Sequence, residues 1–549
     1  MTIFSYASGG FEGDLVTVEV DLRRGIPGMD IVGLPDSAVR ESRERVRAAV
    51  RNSGFQVPRE RVLINLAPAG VKKIGASFDL PIAAALLESS RQIIIDPSIQ
   101  VLILGELELS GAVRPVNGVL AAVASAMEAG LDYCLVPLEN YQEACVVGRG
   151  RIATITHLRE IAELGGFFHR TAEGLPRAGE SAPLIFENSA NEEESPPPIH
   201  PPACEGLDYA DMVGQEHLKR ACEVAAAGRH HMLLFGPPGV GKTMAALRFI
   251  DLLPPLERRQ SIEVTRIYSI GGILPRGTGL IRRPPLRSPH HTASREGVIG
   301  GGKQVLPGEI SYAHHGVLFL DEALEFSLPL LQSLREPLER GVVEIARSGL
   351  HYWFPARFQL ILAANPCPCG KLGKPDADCL CSPVEVHRYW KKLGAALLDR
   401  IDLRIPVEHQ GGVTAREDSC SGTAEMADRV ERAISIQQHR FAAQERENSG
   451  PARRPCEHEH ERPDRTCKRN ADMNTTDIRR FCTLSEQGAA ALREAVEKLG
   501  LSTRAEYSVL KIARTIADLE QSDPIFNDHL MEAVHYRRFA QGDFYWKVA

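Results

Sequence analysis

A chain of 549 residues, 43% of them apolar, is long enough for about three domains, each with its own core. A formal net charge of −7 excludes a wholly basic nucleic-acid coat, although a channel or patch needs only local charge. The N-terminus lacks a basic stretch followed by an apolar run and no membrane-length apolar stretch occurs, so the 12 cysteines read as reduced thiols or metal ligands of a cytoplasmic protein without a membrane segment.

Residues 1–165 alternate strand-like and helix-like patterns. Leu15–Leu22 alternates with period two, as a half-buried strand does, and Pro35–Val50 carries apolar residues at helical spacing. Val62–Leu66 and Gln100–Leu104 are further strands, and Val119–Ala129 is an alanine-rich helix of the same mixed α/β domain. Residues 166–205 are a linker, because the acidic run Glu192–Glu194 and the prolines at 196–198, 201 and 202 cannot bury enough apolar surface to fold alone. An α/β piece spans 206–410 and a helical piece 425–549; within the latter, Glu447–Arg469 is a polar, proline-containing loop.

The α/β piece carries the chemistry. The apolar run Met232–Phe235 leads into Gly236, Pro237, Pro238, Gly239, Val240, Gly241, Lys242 and Thr243, a complete P-loop pattern. Its glycines let successive backbone N–H groups turn inward and cradle phosphate oxygens, and the helix after them, expected from Lys242 to Leu253, points its positive end the same way. Lys242 then reaches the β- and γ-phosphates of ATP, and the Thr243 hydroxyl ligates Mg²⁺. Val317–Leu320 is a central strand ending in Asp321, which holds Mg²⁺, and Glu322, which polarises the attacking water.

Asn365 follows a third buried strand, Gln359–Ala363; it either orients the attacking water or makes a turn before Pro366. Arg400 and Arg504 are candidates to stabilise charge on a transferring phosphoryl group, with a structural ion pair as the alternative for each. Cys367, Cys369, Cys379 and Cys381 form two tight C-x-C pairs that can converge on one tetrahedral Zn²⁺, or remain four reduced thiols. Cys456, His458, His460 and Cys467 make a weaker cluster in the polar loop.

The P-loop, the Leu318–Glu322 segment, Asn365, the Leu397–Leu403 segment and Leu501–Ala505, in this order, resemble an AAA+ ATPase of the branch that holds Mg-chelatase and the minichromosome-maintenance helicases. More narrowly, Phe78–Ala83, Arg287–Gly302, Pro307–Glu322 and Asn365–Gly370 resemble the ComM/YifB family of Mg-chelatase-like ATPases over nearly the whole chain. The resemblance implies an α/β fold class. It combines a Lon-protease-like (ribosomal S5 domain 2-like) α+β N-terminal domain, an AAA+ P-loop core and a C-terminal helical lid.

By the same resemblance, Asn365 is the sensor-1 residue, Arg400 a finger acting on a neighbouring subunit's ATP, and Arg504 the sensor-2 arginine. The partners implied are five further copies in a hexamer and DNA of no fixed sequence, single-stranded or branched. The implied activity is a helicase promoting branch migration in recombination and natural transformation. Residues 265–310 would project toward the pore, with Arg266, Arg276, Arg282, Arg283, Arg287, His290, His291, Arg295 and Lys303 as a basic lining or as a solvated loop.

Two rivals share parts of this pattern: a magnesium-chelatase motor subunit and an ATP-dependent peptidase. Ser77 falls where the Lon nucleophile sits, but the Lon lysine aligns with Leu120, which cannot take a proton; Lys72 and Lys73 are out of position. The Lon-like fold is therefore expected without peptidase activity.

Overall fold

The computed structural model describes residues 2–94, 98–148, 151–163, 208–212, 214–275, 277–302, 304–347, 350–374, 377–408, 422–448 and 469–539. The expected linker, the Cys456, His458, His460 and Cys467 cluster, Arg276 and Lys303 lie outside the described residues.

The N-terminal unit is built on seven strands: β1 (Thr2–Gly9), β2 (Glu12–Arg23), β3 (Gly28–Val32), β4 (Arg61–Ala67), β5 (Gln100–Ile103), β6 (Tyr133–Pro137) and β7 (Ile152–Ile155). They lie in the order β3-β4-β2-β1-β5-β6-β7. The β1–β2 and β2–β4 pairs are antiparallel and the others parallel. Residues Glu12 and Asp14 extend β2 beyond the expected apolar alternation, because the turn at Gly10 (φ 89°) returns the chain along β1 in register.

Helix α1 (Ser37–Asn52) begins after Pro35 because the Asp36 carboxylate accepts the Val39 N–H at 2.8 Å. Its Val39, Val46, Ala49 and Val50 are buried on the sheet. Helix α2 (Asp79–Ser89) is buried almost all round, and α3 (Val119–Glu128) lies between the sheet and the next unit. A short helix, α4 (Tyr141–Cys145), completes this side.

The second unit holds α5 (Glu216–Gly228), α6 (Lys242–Arg248), α7 (Arg258–Ile270) and a five-stranded parallel sheet. Its strands are β8 (Met232–Phe235), β9 (Leu286–Arg287), β10 (Val317–Leu320), β11 (Gln359–Ala364) and β12 (Leu403–Pro406), ordered β9-β10-β11-β8-β12. The central strands β10, β11 and β8 are apolar because both faces are covered, except for Gln359 at the start of β11, whose buried amide donates to the Ala225 and His230 carbonyls. Met232, Leu234, Val317 and Phe319 face a core shared with α5 and the C-terminal helices. Leu233, Leu318, Leu320 and Leu362 face the opposite core, around Trp390.

The described C-terminal residues are helical, with helices at Thr423–Asn448, Thr475–Phe481, Glu486–Leu499, Thr503–Leu519 and Asn527–Arg537. No helix among the described residues is long and apolar enough to cross a membrane.

The two α/β units are joined by a packed interface. Val119, Ala122 and Val123 of α3 share a core with Val264, Ile267 and Tyr268 of α7. Glu143 is buried there and accepts the Leu120 N–H at 2.8 Å, the Asn140 side-chain amide at 3.2 Å and the Ser269 hydroxyl from α7. Burial pushes its carboxyl above the usual range, against the pull of these donors.

This interface corrects the expectation that all of 265–310 projects as one basic insertion. Its first residues belong to α7, and the Arg266 guanidinium stacks 4.6 Å over the Phe11 ring of the N-terminal unit. Arg283 pairs with Asp251 at 2.6 Å and Arg287 with Glu309 at 2.5 Å, so those charges are answered inside the chain. Composition within the window could not reveal Asp251, which lies outside it.

Candidate nucleotide site and cysteine centre

The P-loop leaves the carboxyl end of β8, between β11 and β12. Gly236 passes so close to β12 that a Cβ there would meet the Val407 carbonyl oxygen at 2.0 Å. Gly239 (φ 88°) and Gly241 (φ 94°) adopt the left-handed turns that start α6. The helix expected to Leu253 is α-helical only to Arg248 and then tightens into a 3₁₀ turn over Phe249–Leu252.

Lys242 lies folded over its own loop. Its ammonium donates to the carbonyls of Gly236 at 2.6 Å and Pro237 at 2.8 Å, and to the Asn365 side-chain oxygen at 3.4 Å. Burial pulls its pKa down to about 8, against the pull of Asp321 and Glu322. The Thr243 hydroxyl donates to Asp321 at 2.8 Å, and the other Asp321 oxygen accepts the Glu322 N–H at 2.9 Å. Thus one constellation gathers Lys242, Thr243, Asp321, Glu322 and Asn365 from three adjacent parallel strands. An oxygen pair on Thr243 and Asp321 suits a hard divalent cation such as Mg²⁺.

Glu322 itself has a left-handed backbone (φ 49°), which turns its half-exposed carboxylate away from the strand direction. The His291 imidazole lies 3.6 Å from that carboxylate. Nothing in the spacing of the chain pointed to His291.

Sequence reasoning also missed the segment under α6. The Tyr209 hydroxyl donates to the Ala245 carbonyl at 2.8 Å, and Asp208 accepts both the N–H and the hydroxyl of Thr423 at the start of the first C-terminal helix. The helical piece is thereby tied to the floor of the P-loop.

Arg400 and Arg504 are not gathered into this constellation. Both guanidiniums contact Glu339, that of Arg504 at 3.0 Å. Hydrogen bonding from Arg504 holds the Glu339 carboxyl below its usual range, while burial and the neighbouring Arg504 charge lower the pKa of Arg400. The Arg400 Nε is buried without a hydrogen-bond partner among the described residues. The three side chains line a cleft of about 610 Å³ together with Arg340 and Lys511.

Topology puts this cleft at the other end of the sheet. Leu403, three residues after Arg400, pairs with Met232 at the start of β8, whereas the P-loop follows Phe235 at its end. Four residues of strand, roughly 13 Å, separate the two edges.

The four cysteines expected to meet do so. Cys367 Sγ lies 3.4 Å from Cys369 Sγ and 3.6 Å from Cys379 Sγ, and Cys369 and Cys379 are 3.6 Å apart. All four sulfurs, Cys381 included, fall within 4.8 Å of one another. A tetrahedral ion with sulfur bonds of about 2.3 Å has edges of about 3.8 Å, so the donor set suits zinc. The Lys371 backbone N–H pulls the Cys369 thiol down to about 6, whereas burial pushes Cys367 up to about 12.

The centre abuts the nucleotide site. A Cβ on Gly370 would lie 3.3 Å from the Pro238 ring of the P-loop, and Pro366, next to Asn365, accepts the Trp390 indole N–H at 3.0 Å.

In the N-terminal unit, Leu120 is fully buried and Ser77 lies half-buried on the short turn Ala76–Phe78. Lys73 is buried and donates its ammonium to the Pro68 carbonyl, and burial lowers its pKa.

Comparison with known proteins places this arrangement. Family models match residues 208–414 (magnesium chelatase, subunit ChlI), 18–140 (subunit ChlI of Mg-chelatase) and 421–537 (magnesium chelatase, subunit ChlI C-terminal). The competence protein ComM of Haemophilus influenzae is 37% identical over 538 residues, 97% of each chain. The uncharacterised protein YifB of Escherichia coli is 37% identical over 538 residues, 97% of this chain and 96% of that one. A shorter likeness, 28% over 137 residues, relates 24% of this chain to 25% of Lon protease 2 of Bacillus subtilis. The chain belongs to the ComM/YifB family of Mg-chelatase-like AAA+ ATPases.

Proposed function

We propose that the protein is a hexameric AAA+ motor that couples ATP hydrolysis to movement along DNA and promotes branch migration during recombination, as in natural transformation. Lys242 holds the β- and γ-phosphates, Thr243 and Asp321 hold Mg²⁺, and Glu322 and Asn365 act on the attacking water. The observation that carries the ring is the position of Arg400 and Arg504 at the sheet edge opposite their own P-loop, next to Glu339. A neighbour in a ring brings its ATP to them.

The bearing on DNA rests on full-length similarity to a competence protein. It also fits the arginines Arg40, Arg43, Arg47 and Arg51, exposed along one face of α1, which suit a phosphate backbone. The test is ATP turnover without DNA, with single strands, with duplex and with a branched junction. Stimulation greatest on the junction is the expected result. Turnover indifferent to every DNA would replace this reading with that of a chelatase-like or protein-remodelling motor.

Zinc at Cys367, Cys369, Cys379 and Cys381 is part of the proposal, as a clamp on the loop beside the P-loop. Elemental analysis of the purified protein is expected to find one zinc per chain, and the Cys369→Ser, Cys379→Ser double variant to find none. A metal-free wild-type protein with full activity would remove zinc from the scheme.

A further inference from the structure

Arg400 sits in a turn that is held by charges from elsewhere in the chain. The helical turn Gly394–Leu398 ends just before it, so the carbonyls on either side of Arg400 lie past that helix's own ladder. One side chain takes both. Arg537, the last residue of the helix Asn527–Arg537, donates one guanidinium nitrogen to the Asp399 carbonyl at 3.0 Å and another to the Ile401 carbonyl. Arg404 of β12 adds a bond to the Leu398 carbonyl at 2.8 Å and one to the Phe539 carbonyl.

Arg537 is 1% exposed. Burial lowers its pKa, against the pull of Asp402 and Asp399. A buried charge costs far more than an apolar side chain that fills the same space, so shape alone does not explain it. Two residues on, the Phe539 ring packs edge to face on that of Phe235, with centroids 5.4 Å apart, and Phe235 is the residue before the P-loop. The end of this helix therefore reaches from the turn of Arg400 to the root of the subunit's own nucleotide site.

The Arg400 side chain lines the cleft and has little else to fix it. It contacts Glu339 and the Ala396 carbonyl, and its Nε has no partner among the described residues. A group that acts on a transferring phosphoryl must be held within about 0.5 Å of its working position by locked neighbours. A planar fork on the two flanking carbonyls does this. It fixes the backbone of residue 400 on both sides and leaves the side chain to the cleft.

We infer that Arg537 is a positioning residue: it fixes the Asp399–Ile401 turn so that Arg400 meets the ATP of a neighbouring subunit. The inference rests on the proposed reading of Arg400 as a finger within a ring. Arg537 itself touches no nucleotide; its effect passes through Arg400 and falls on the neighbour's site. Methionine in its place removes both bonds, and lysine keeps the charge without the fork.

The experiment measures ATP turnover by full-length wild type, Arg537→Met, Arg400→Ala and the double variant across a range of ATP concentrations, and by Arg537→Met mixed with Lys242→Ala. The expected result for Arg537→Met is a kcat about 10- to 100-fold lower with KM for ATP within a few-fold. The double variant should turn over no more slowly than Arg400→Ala alone. Mixing with Lys242→Ala should raise turnover above both parents, because an intact P-loop then faces an intact finger turn. A wild-type kcat for Arg537→Met beside an impaired Arg400→Ala overturns the inference and leaves the finger standing, as does a further loss in the double variant. Wild-type turnover by Arg400→Ala removes the finger, and the inference with it. If Arg537→Met melts below wild type, the mixture decides: recovery upholds the inference, and no recovery with mixed assembly demonstrated overturns it. If Arg537→Met does not fold, Arg537→Lys takes its place in every reading, with an expected loss of about 10-fold.

Discussion

Arg400→Ala is expected to lower ATP turnover by about 10³-fold or more while ATP affinity stays within a few-fold, the signature of a guanidinium that acts only on the transition state. The argument is geometric. Arg400 stands at the amino end of β12, beside the start of β8, and the P-loop leaves β8 at its far end. An arginine side chain of about 7 Å cannot cross that strand length, so in the proposed ring the arginine is expected to serve an ATP that another subunit presents. Without a neighbour it contacts Glu339 beside Arg504, with its Nε unpartnered among the described residues, a partly satisfied arrangement that a phosphate would complete.

Mixing separates action in trans from action within the chain. Arg400→Ala retains an intact P-loop, and Lys242→Ala retains an intact arginine. Mixed rings then contain interfaces where a normal P-loop faces a normal arginine, and turnover should return to a measurable fraction of wild type. Failure of every mixture to exceed its parents, with mixed assembly demonstrated, would place Arg400 in its own chain's chemistry or in structure alone. Wild-type turnover by Arg400→Ala would remove the finger role altogether.

Glu322→Gln is expected to cut turnover by about 10²- to 10⁴-fold and to leave ATP and Mg²⁺ bound. The substitution keeps the size and the left-handed backbone of the residue, and Asp321 keeps its bonds to the Thr243 hydroxyl and the residue-322 N–H. What is lost is the charge that draws a proton from water. Nucleotide retained after rapid desalting, read by chromatography, should be intact ATP in the variant and ADP in wild type. Loss of ATP binding in Glu322→Gln would mean that the residue holds the metal rather than the water. Residual turnover near the wild-type rate would move the base elsewhere.

How much of this was legible in the sequence follows from the range of each interaction. The P-loop was legible because its glycines answer a local demand: Gly236 must pass within contact of β12, and Gly239 and Gly241 must take left-handed turns. The parallel sheet was legible because strands covered on both faces must be apolar at every position, as Met232–Phe235 and Val317–Leu320 are. The cysteine centre was legible as a candidate because two pairs of donors so close in sequence have few other geometries available.

The rest needed the chain to fold back on itself. The basic window 265–310 looked like a free lining because its partners, Phe11 and Asp251, lie outside it; the packing of α7 on the N-terminal unit brings Phe11 to Arg266. The meeting of Arg400 and Arg504 on Glu339 requires the C-terminal helices to dock against the sheet, which their shared apolar core enforces and no local pattern records. Likewise His291 meets Glu322 only because β9 and β10 pair in parallel, which carries the loop after one strand over the acid after the other. The sequence by itself determined the nucleotide chemistry, since backbone conformation and donor type are set within a few residues. The tertiary structure alone decided which charges face that site and which are held away from it, since those depend on contacts between segments tens to hundreds of residues apart.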